Sequence, residues 1–206
     1  MAYLRDPAAI YRESFATIER EADLSRLAPE LRPLAVRMIH ACGMVDLAEN
    51  IVGDAHLVDA VRGALAAGAP VLCDCEMVRA GLIRRFLGAS EAVVTLNDPS
   101  VPELAQKLGT TRSAAAVELW RERLGGSVVV IGNAPTALFH LLELLESGAE
   151  KPAAIIAAPV GIVGAAESKA LLAKGAHGVP FVTVHGRRGG SAITGAAFNA
   201  CAGANG

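Results

Sequence analysis

Of the side chains able to exchange a proton near neutral pH, His40 stands out by position. It lies in the run Arg37-Met-Ile-His-Ala-Cys-Gly-Met44. On a helix at about 100° per residue, the segment from Pro29 to Val45 gathers Leu31, Leu34, Ala35, Met38, Cys42 and Val45 into one apolar stripe. His40 falls opposite that stripe, with Arg37 one turn back on nearly the same side. Val36, Ile39 and Gly43 make this second side too apolar for a plain solvated face, so the helix is expected to bury two surfaces. Core packing gives no reason for an imidazole there. A lone base of this kind suits proton transfer to or from a ligand rather than a triad, because Cys42 points to the other face and no G-x-S-x-G elbow surrounds Ser191. Periodicity alone leaves a surface or interface histidine and a catalytic one equally open.

A second concentration of chemistry lies in turns. Thr95-Leu-Asn-Asp-Pro99, Thr110-Thr-Arg-Ser113, Gly132-Asn-Ala-Pro-Thr136, Ala158-Pro-Val-Gly161 and Gly186-Arg-Arg-Gly-Gly-Ser191 combine Gly or Pro with side-chain donors at helix starts. Together they read as a cradle for several anionic groups, built on helix N-termini; singly, each is also an ordinary capped turn. Arg187-Arg188-Gly-Gly-Ser191 is the sharpest, since paired glycines let backbone approach a ligand while guanidinium groups bind carboxylate or phosphate bidentately. Neither G-x-G-x-x-G nor G-x-x-x-x-G-K-[ST] occurs, so NAD and ATP have no motif here. His56, His140, His177 and His185 are scattered without helical metal spacing and read as surface or satisfied histidines. Cys73-Asp-Cys75 places two thiols on one strand face with no second ligand pair, so no metal is expected and the four cysteines read as reduced thiols. The acidic residues Asp74, Glu76 and Glu167 are explained by nearby helix starts.

The elements that must position these groups follow from the pattern. Asp6-Pro7 opens a helix that runs through Tyr11, Phe15 and Ile18 to about Ala22; the helix bearing His40 follows, and a third covers about 55–67 and ends at Gly68. Beyond it, short apolar runs alternate with helical ones: Val71-Leu-Cys-Asp, Ala92-Val-Val-Thr-Leu, Val128-Val-Val-Ile, Ala153-Ala-Ile-Ile-Ala-Ala and Phe181-Val-Thr-Val. Helices are expected at about 76–87, 100–108, 112–124, 135–147, 166–174 and 191–201. Near-continuous apolar strands between helices predict a doubly wound α/β fold, with a mainly parallel five-stranded sheet covered on both faces and a helical N-terminal segment. One domain over 1–206 is expected, with 1–68 helical and 69–206 built of βα repeats. A net charge of −2 argues against nucleic acid or an anionic membrane as partner. The polar start and the short apolar runs predict a cytoplasmic protein with neither signal peptide nor membrane span.

Several separate motifs carry a family resemblance. Arg37-Met-Ile-His-Ala-Cys-Gly-Met44, Cys73-Asp-Cys-Glu-Met-Val-Arg-Ala-Gly81, Thr110-Thr-Arg-Ser-Ala-Ala-Ala116, Gly132-Asn-Ala-Pro-Thr-Ala137 and the stretch from Ala158-Pro-Val-Gly to Glu167-Ser-Lys169 resemble precorrin-8X methylmutase. The resemblance runs from Arg5 to Asn199, nearly the whole chain. It implies an isomerase of cobalamin biosynthesis that moves a methyl group from C11 to C12 of a tetrapyrrole to give hydrogenobyrinate, with His40 as general acid or base. A close relative acts on the cobalt-containing substrate. It further implies no metal or organic cofactor and a homodimer with the active site at the subunit interface. Arg37, Ser14, Arg112, Asn133, Thr136 and Arg187 are the expected contacts to carboxylates or the ring periphery, with Met44 and glycine-bearing loops such as that at Gly161 against the ring face. The alternative is a tetrapyrrole-binding protein that hands its ligand to neighbouring pathway enzymes without turnover.

Overall fold

The computed structural model describes residues 3–203. Asp6 caps the first helix, α1 (Pro7–Glu21), by accepting the Ala9 N–H at 2.8 Å, and Pro7 fills the first position, where a missing N–H is harmless. A 3-10 turn at Pro29–Leu31 leads into α2 (Arg32–Cys42). Gly43, at φ +68°, ends α2 by returning its N–H to the Ile39 carbonyl at 2.7 Å. An L side chain in that left-handed conformation costs roughly 1–2 kcal/mol, so this glycine decides where the helix stops and leaves His40 in its last turn.

Both apolar sides of α2 are buried, as its pattern predicts: Leu34, Ala35 and Met38 on one side, Val36 and Ile39 on the other. The helix lies against α1 and against α10 (Ser191–Ala202). Contacts within one chain therefore account for the second apolar side without a partner subunit.

The sheet has six strands rather than five: β1 (Ile51–Gly53), β2 (Val71–Cys73), β3 (Ala92–Val94), β4 (Val128–Ile131), β5 (Ala154–Ala157) and β6 (Phe181–Val184), in the order β1-β6-β5-β4-β2-β3. The additional strand is β1, an antiparallel edge with Ile51 opposite Val184. Three residues are too few to announce a strand by alternation, and only pairing with β6 defines it. Gly53 is required there, since a Cβ would lie 2.9 Å from the Phe181 carbonyl oxygen. The remaining strands are parallel. After β3 the chain returns to the far side of β2, so the direction of winding reverses between β2 and β4, the place where such sheets hold ligands beyond their carboxyl ends.

Alternate strand residues build two cores. Val71, Cys73, Val128, Val130, Ile156 and Val182 pack with α1, α2, α3 (Leu57–Ala66) and α10; Leu72, Val129, Ile131 and Ile155 pack with α7 (Arg112–Glu118), α8 (Pro135–Glu146) and α9 (Ala165–Ala173). A further small helix, α6 (Val101–Leu108), follows β3.

Two expected helices are interrupted. The stretch 76–87 divides into α4 (Glu76–Gly81) and α5 (Arg84–Leu87). Asn199 of α10 satisfies the backbone at the break, accepting the Ile83 N–H at 2.8 Å and donating to the Gly81 carbonyl at 2.9 Å. The stretch 112–124 leaves α-geometry after Glu118 and ends in a 3-10 turn at Arg121–Arg123. Buried Trp120 sits at this change, its indole N–H donating to Thr95 Oγ1 at 2.9 Å.

Candidate active site

His40 is exposed at the end of α2 and packs against two rings of α1. The Tyr11 ring centroid lies 5.5 Å from the imidazole at 31°, and Phe15 meets it edge-on at 5.3 Å and 88°. Tyr11 and Phe15 are four residues apart, so one helix face presents both. Arg37 places its guanidinium 5.1 Å from the Phe15 centroid, a cation–π contact on the same ring. Ser14, half-buried, precedes Phe15 in the same turn. Neither ring nitrogen of His40 is hydrogen-bonded or ion-paired among the described residues, so the aromatic contacts orient the ring while both nitrogens remain available to a ligand. The i,i+4 aromatic pair was visible in the sequence, but only packing of α1 on α2 shows that it addresses His40.

Beside this group lies a cavity of about 790 Å³, bounded by α1, the start of α2, α5 and the end of α10. Phe15, Leu24, Pro33, Val36 and Phe86 form apolar wall, while Arg32 and Arg37 bring cations to it. Another cleft of about 550 Å³, between α8 and α9, is lined by none of the sequence-predicted site residues.

The carboxyl ends of the strands look different from the expected open cradle. The buried Asp74 carboxylate, just beyond β2, fills the crevice at the reversal point. Its Oδ1 accepts the Gly132 N–H at 3.1 Å, and its Oδ2 accepts those of Asn133 and Ala134 at 2.8 Å each. The turn leading into α8 therefore already holds an internal anion, and the Gly132–Ala134 amides are not free for a substrate. This corrects the reading of Asp74 as explained by its own helix start, because its carboxylate serves the turn after β4. Burial pushes the Asp74 carboxyl above the usual carboxylate range, partly offset by the three N–H donors. The turn after β3 is also structural, with Thr95 Oγ1 donating to the Ala116 carbonyl at 2.7 Å.

The remaining predicted residues fall into two sets. Arg112 is exposed and donates to the Leu96 carbonyl at 3.2 Å; beside it Thr111 caps α7 and pairs its hydroxyl with that of Thr136 at 2.8 Å. With Asn133, these residues lie on the α7–α8 side of the sheet. No hydrogen bond or ion pair joins them to the His40 group among the described residues, because α2 packs on the opposite face. Gly161 and Arg187 are in contact through backbone, the Gly161 N–H donating to the Arg187 carbonyl at 3.2 Å, and the Arg187 side chain is exposed. This second set is drawn toward α2: Arg188 pairs with Asp46 at 2.6 Å, in the 3-10 turn (Val45–Asn50) that follows half-buried Met44. Ile162 and Val163, at 74% and 87% exposure, extend an apolar tip from the same edge.

His140, Cys73 and Cys201 are structurally engaged. His140 bonds Glu118 at 2.8 Å and lies 3.4 Å from Glu143. Burial pushes the Cys73 thiol up and that of Cys201 up to about 12, which leaves both poor nucleophiles.

Comparison with known proteins places this arrangement in a class of α/β methylmutases. The family model for CbiC, precorrin-8X methylmutase, matches residues 9–203. Precorrin-8X methylmutases of Sinorhizobium sp and Pseudomonas aeruginosa are each 59% identical over 201 residues, covering 97% of this chain and 96% and 97% of theirs. The crystal structure of precorrin-8X methyl mutase from Thermus thermophilus superposes with a TM-score of 0.83 at 36% identity, covering 95% of this chain and 94% of that one. The chain belongs to the precorrin-8X methylmutase family, a family of isomerases in cobalamin biosynthesis.

Proposed function

We propose that this protein moves the methyl group of precorrin-8X from C11 to C12, giving hydrogenobyrinate, and that His40 transfers the proton that accompanies the shift. The observation that carries the reading is the exposed His40 imidazole, oriented by Tyr11 and Phe15 with neither nitrogen bonded among the described residues, in a chain 59% identical to curated precorrin-8X methylmutases. The C11–methyl bond breaks as the C12–methyl bond forms, with no net change in oxidation state. Protonation of the conjugated macrocycle draws electron density along the migration path, and return of a proton restores neutrality in the product tautomer. A positioned acid–base group contributes about 10²–10⁴-fold to such a step, the remainder coming from holding the ring in a reactive geometry.

The substrate is a flat apolar ring edged by acetate and propionate arms. An apolar wall bearing Arg32 and Arg37, with Arg37 one turn from His40, matches that chemistry, and Ser14, Met44, Gly161 and Arg187 are the further contacts we assign. Arg112, Asn133 and Thr136 stand on the other side of the sheet. A homodimer in which these three reach the substrate of the partner subunit accounts for their separation from His40, and the exposed Ile162–Val163 tip is apolar surface suited to such an interface. Four free thiols support a cytoplasmic location, and no helix among the described residues is long and apolar enough to cross a membrane.

Substoichiometric protein added to precorrin-8X should convert the whole pigment pool, seen as a complete change of the visible spectrum. A shift that saturates at one pigment per site would instead identify a binding or hand-off protein. Sedimentation of the purified protein as a monomer at assay concentration would remove the shared site.

A further inference from the structure

Lys169 is a buried cation without a counter-ion. Its side chain, in α9, is fully buried, and no carboxylate lies within ion-pair distance of it among the described residues. Its one hydrogen-bond partner among the described residues is a main-chain atom: Nζ donates to the Arg188 carbonyl at 2.5 Å. Taking an ammonium out of water costs more than a single backbone hydrogen bond returns, and an apolar side chain of similar length would avoid that cost. Stability therefore does not explain the residue. Burial disfavours the charged form and holds the amine down to about 8.

What the ammonium does hold is the turn between β6 and α10. That turn contains left-handed glycines at Gly186 (φ +79°) and Gly190 (φ +122°) and exposes the side chains of Arg187 and Arg188. Gly161 bonds the Arg187 carbonyl and the Gly190 N–H bonds that of Ala158 at 2.9 Å, while Gly189 packs so closely that a Cβ would overlap the Ala158 carbonyl oxygen. The Arg188 side chain is tied to Asp46, and Lys169 supplies a further tie at the peptide between the two arginines and the paired glycines. We propose that Lys169 is a positioning residue whose ammonium pins the Arg188 carbonyl and so holds the Arg187–Arg188 turn in the shape in which it receives substrate carboxylates. This rests on the reading that Arg187 meets the substrate.

The test is Lys169→Met in the full chain, with Arg187→Ala and the double variant, assayed by conversion of precorrin-8X alongside thermal unfolding. Lys169→Met should unfold at the wild-type temperature or above, raise KM about tenfold and leave kcat within about threefold. Arg187→Ala should raise KM similarly, and the double variant should be no worse than Arg187→Ala alone, because both remove one function. A Lys169→Met enzyme with wild-type KM while Arg187→Ala is impaired overturns the role of Lys169 alone. An unimpaired Arg187→Ala overturns the reading beneath it. Loss of folding or of melting temperature in Lys169→Met, with kcat falling in parallel, shows a structural lysine and overturns the proposal.

Discussion

Asp74 is the buried charge on which the turn leading into α8 depends, and two substitutions separate its charge from its acceptor atoms. In Asp74→Ala, the N–H groups of Gly132, Asn133 and Ala134 lose their partner in a buried crevice. Each orphaned donor costs about 1–3 kcal/mol, offset by relief of the carboxylate's own desolvation, so a net loss of about 3–5 kcal/mol is expected. In Asp74→Asn, an amide oxygen at the Oδ2 position keeps the two 2.8 Å bonds and sacrifices the 3.1 Å bond from Gly132, where the amide NH₂ now faces another donor. Because burial has already raised the carboxyl above its usual range, removing the charge recovers part of that loss, and about 1 kcal/mol is expected. Urea unfolding followed by circular dichroism reads a difference of at least 2 kcal/mol as a midpoint separation of roughly 1 M. The sign with pH follows from the same shift. The folded state binds the Asp74 proton at a pH where the unfolded chain has released it, so wild type loses stability relative to Asp74→Asn as pH rises through that interval. Equal destabilisation by Asn and Ala, or a loss below about 1 kcal/mol for Ala, would refute the capping role.

Other consequences can be checked in the same preparations. Lys169 titrates near 8 when folded and near 10.5 when unfolded, so between those values the unfolded chain binds more protons and stability should rise with pH, by up to about 3 kcal/mol. Chemical denaturation from pH 7.5 to 10 should show this rise in wild type and lose it in Lys169→Met. Gly189→Ala should cost about 1–3 kcal/mol and raise KM, since the new methyl displaces the turn from Ala158; a variant with wild-type midpoint and KM would mean that the turn yields freely. Phe15→Ala removes the ring shared by His40 and Arg37, and kcat should fall several-fold with a stability loss of about 1–2 kcal/mol; unchanged kcat would leave the aromatic contacts without a part in orienting the imidazole.

Much of the fold was readable because its strands are buried on both faces. Continuous runs such as Val128–Ile131 and Ala154–Ala157 allow little else, and Asp6-Pro7 and Gly43 mark helix ends by local chemistry. What escaped was set by distant partners. β1 exists through its pairing with β6, and the break between α4 and α5 through Asn199, 116 residues from Ile83. At the site, α2 periodicity found His40 off the main stripe, but neither its aromatic neighbours nor the occupation of the Gly132–Ala134 amides by Asp74 has a local signature. The turns after β3 and β4 carry the same residue types as a ligand cradle. There the Thr95 hydroxyl and the Gly132–Ala134 amides serve the protein's own structure, whereas the turn after β6 combines restrained backbone with exposed guanidinium groups.

Single-turnover conversion of precorrin-8X by wild type and His40→Ala, with pigment binding measured in parallel, tests the assignment of His40 most directly. If His40 moves the proton, the variant binds the pigment within about threefold of wild type and its rate falls by about 10²–10⁴-fold. Conversion within about tenfold of wild type, with binding intact, would contradict a proton-transfer role for His40.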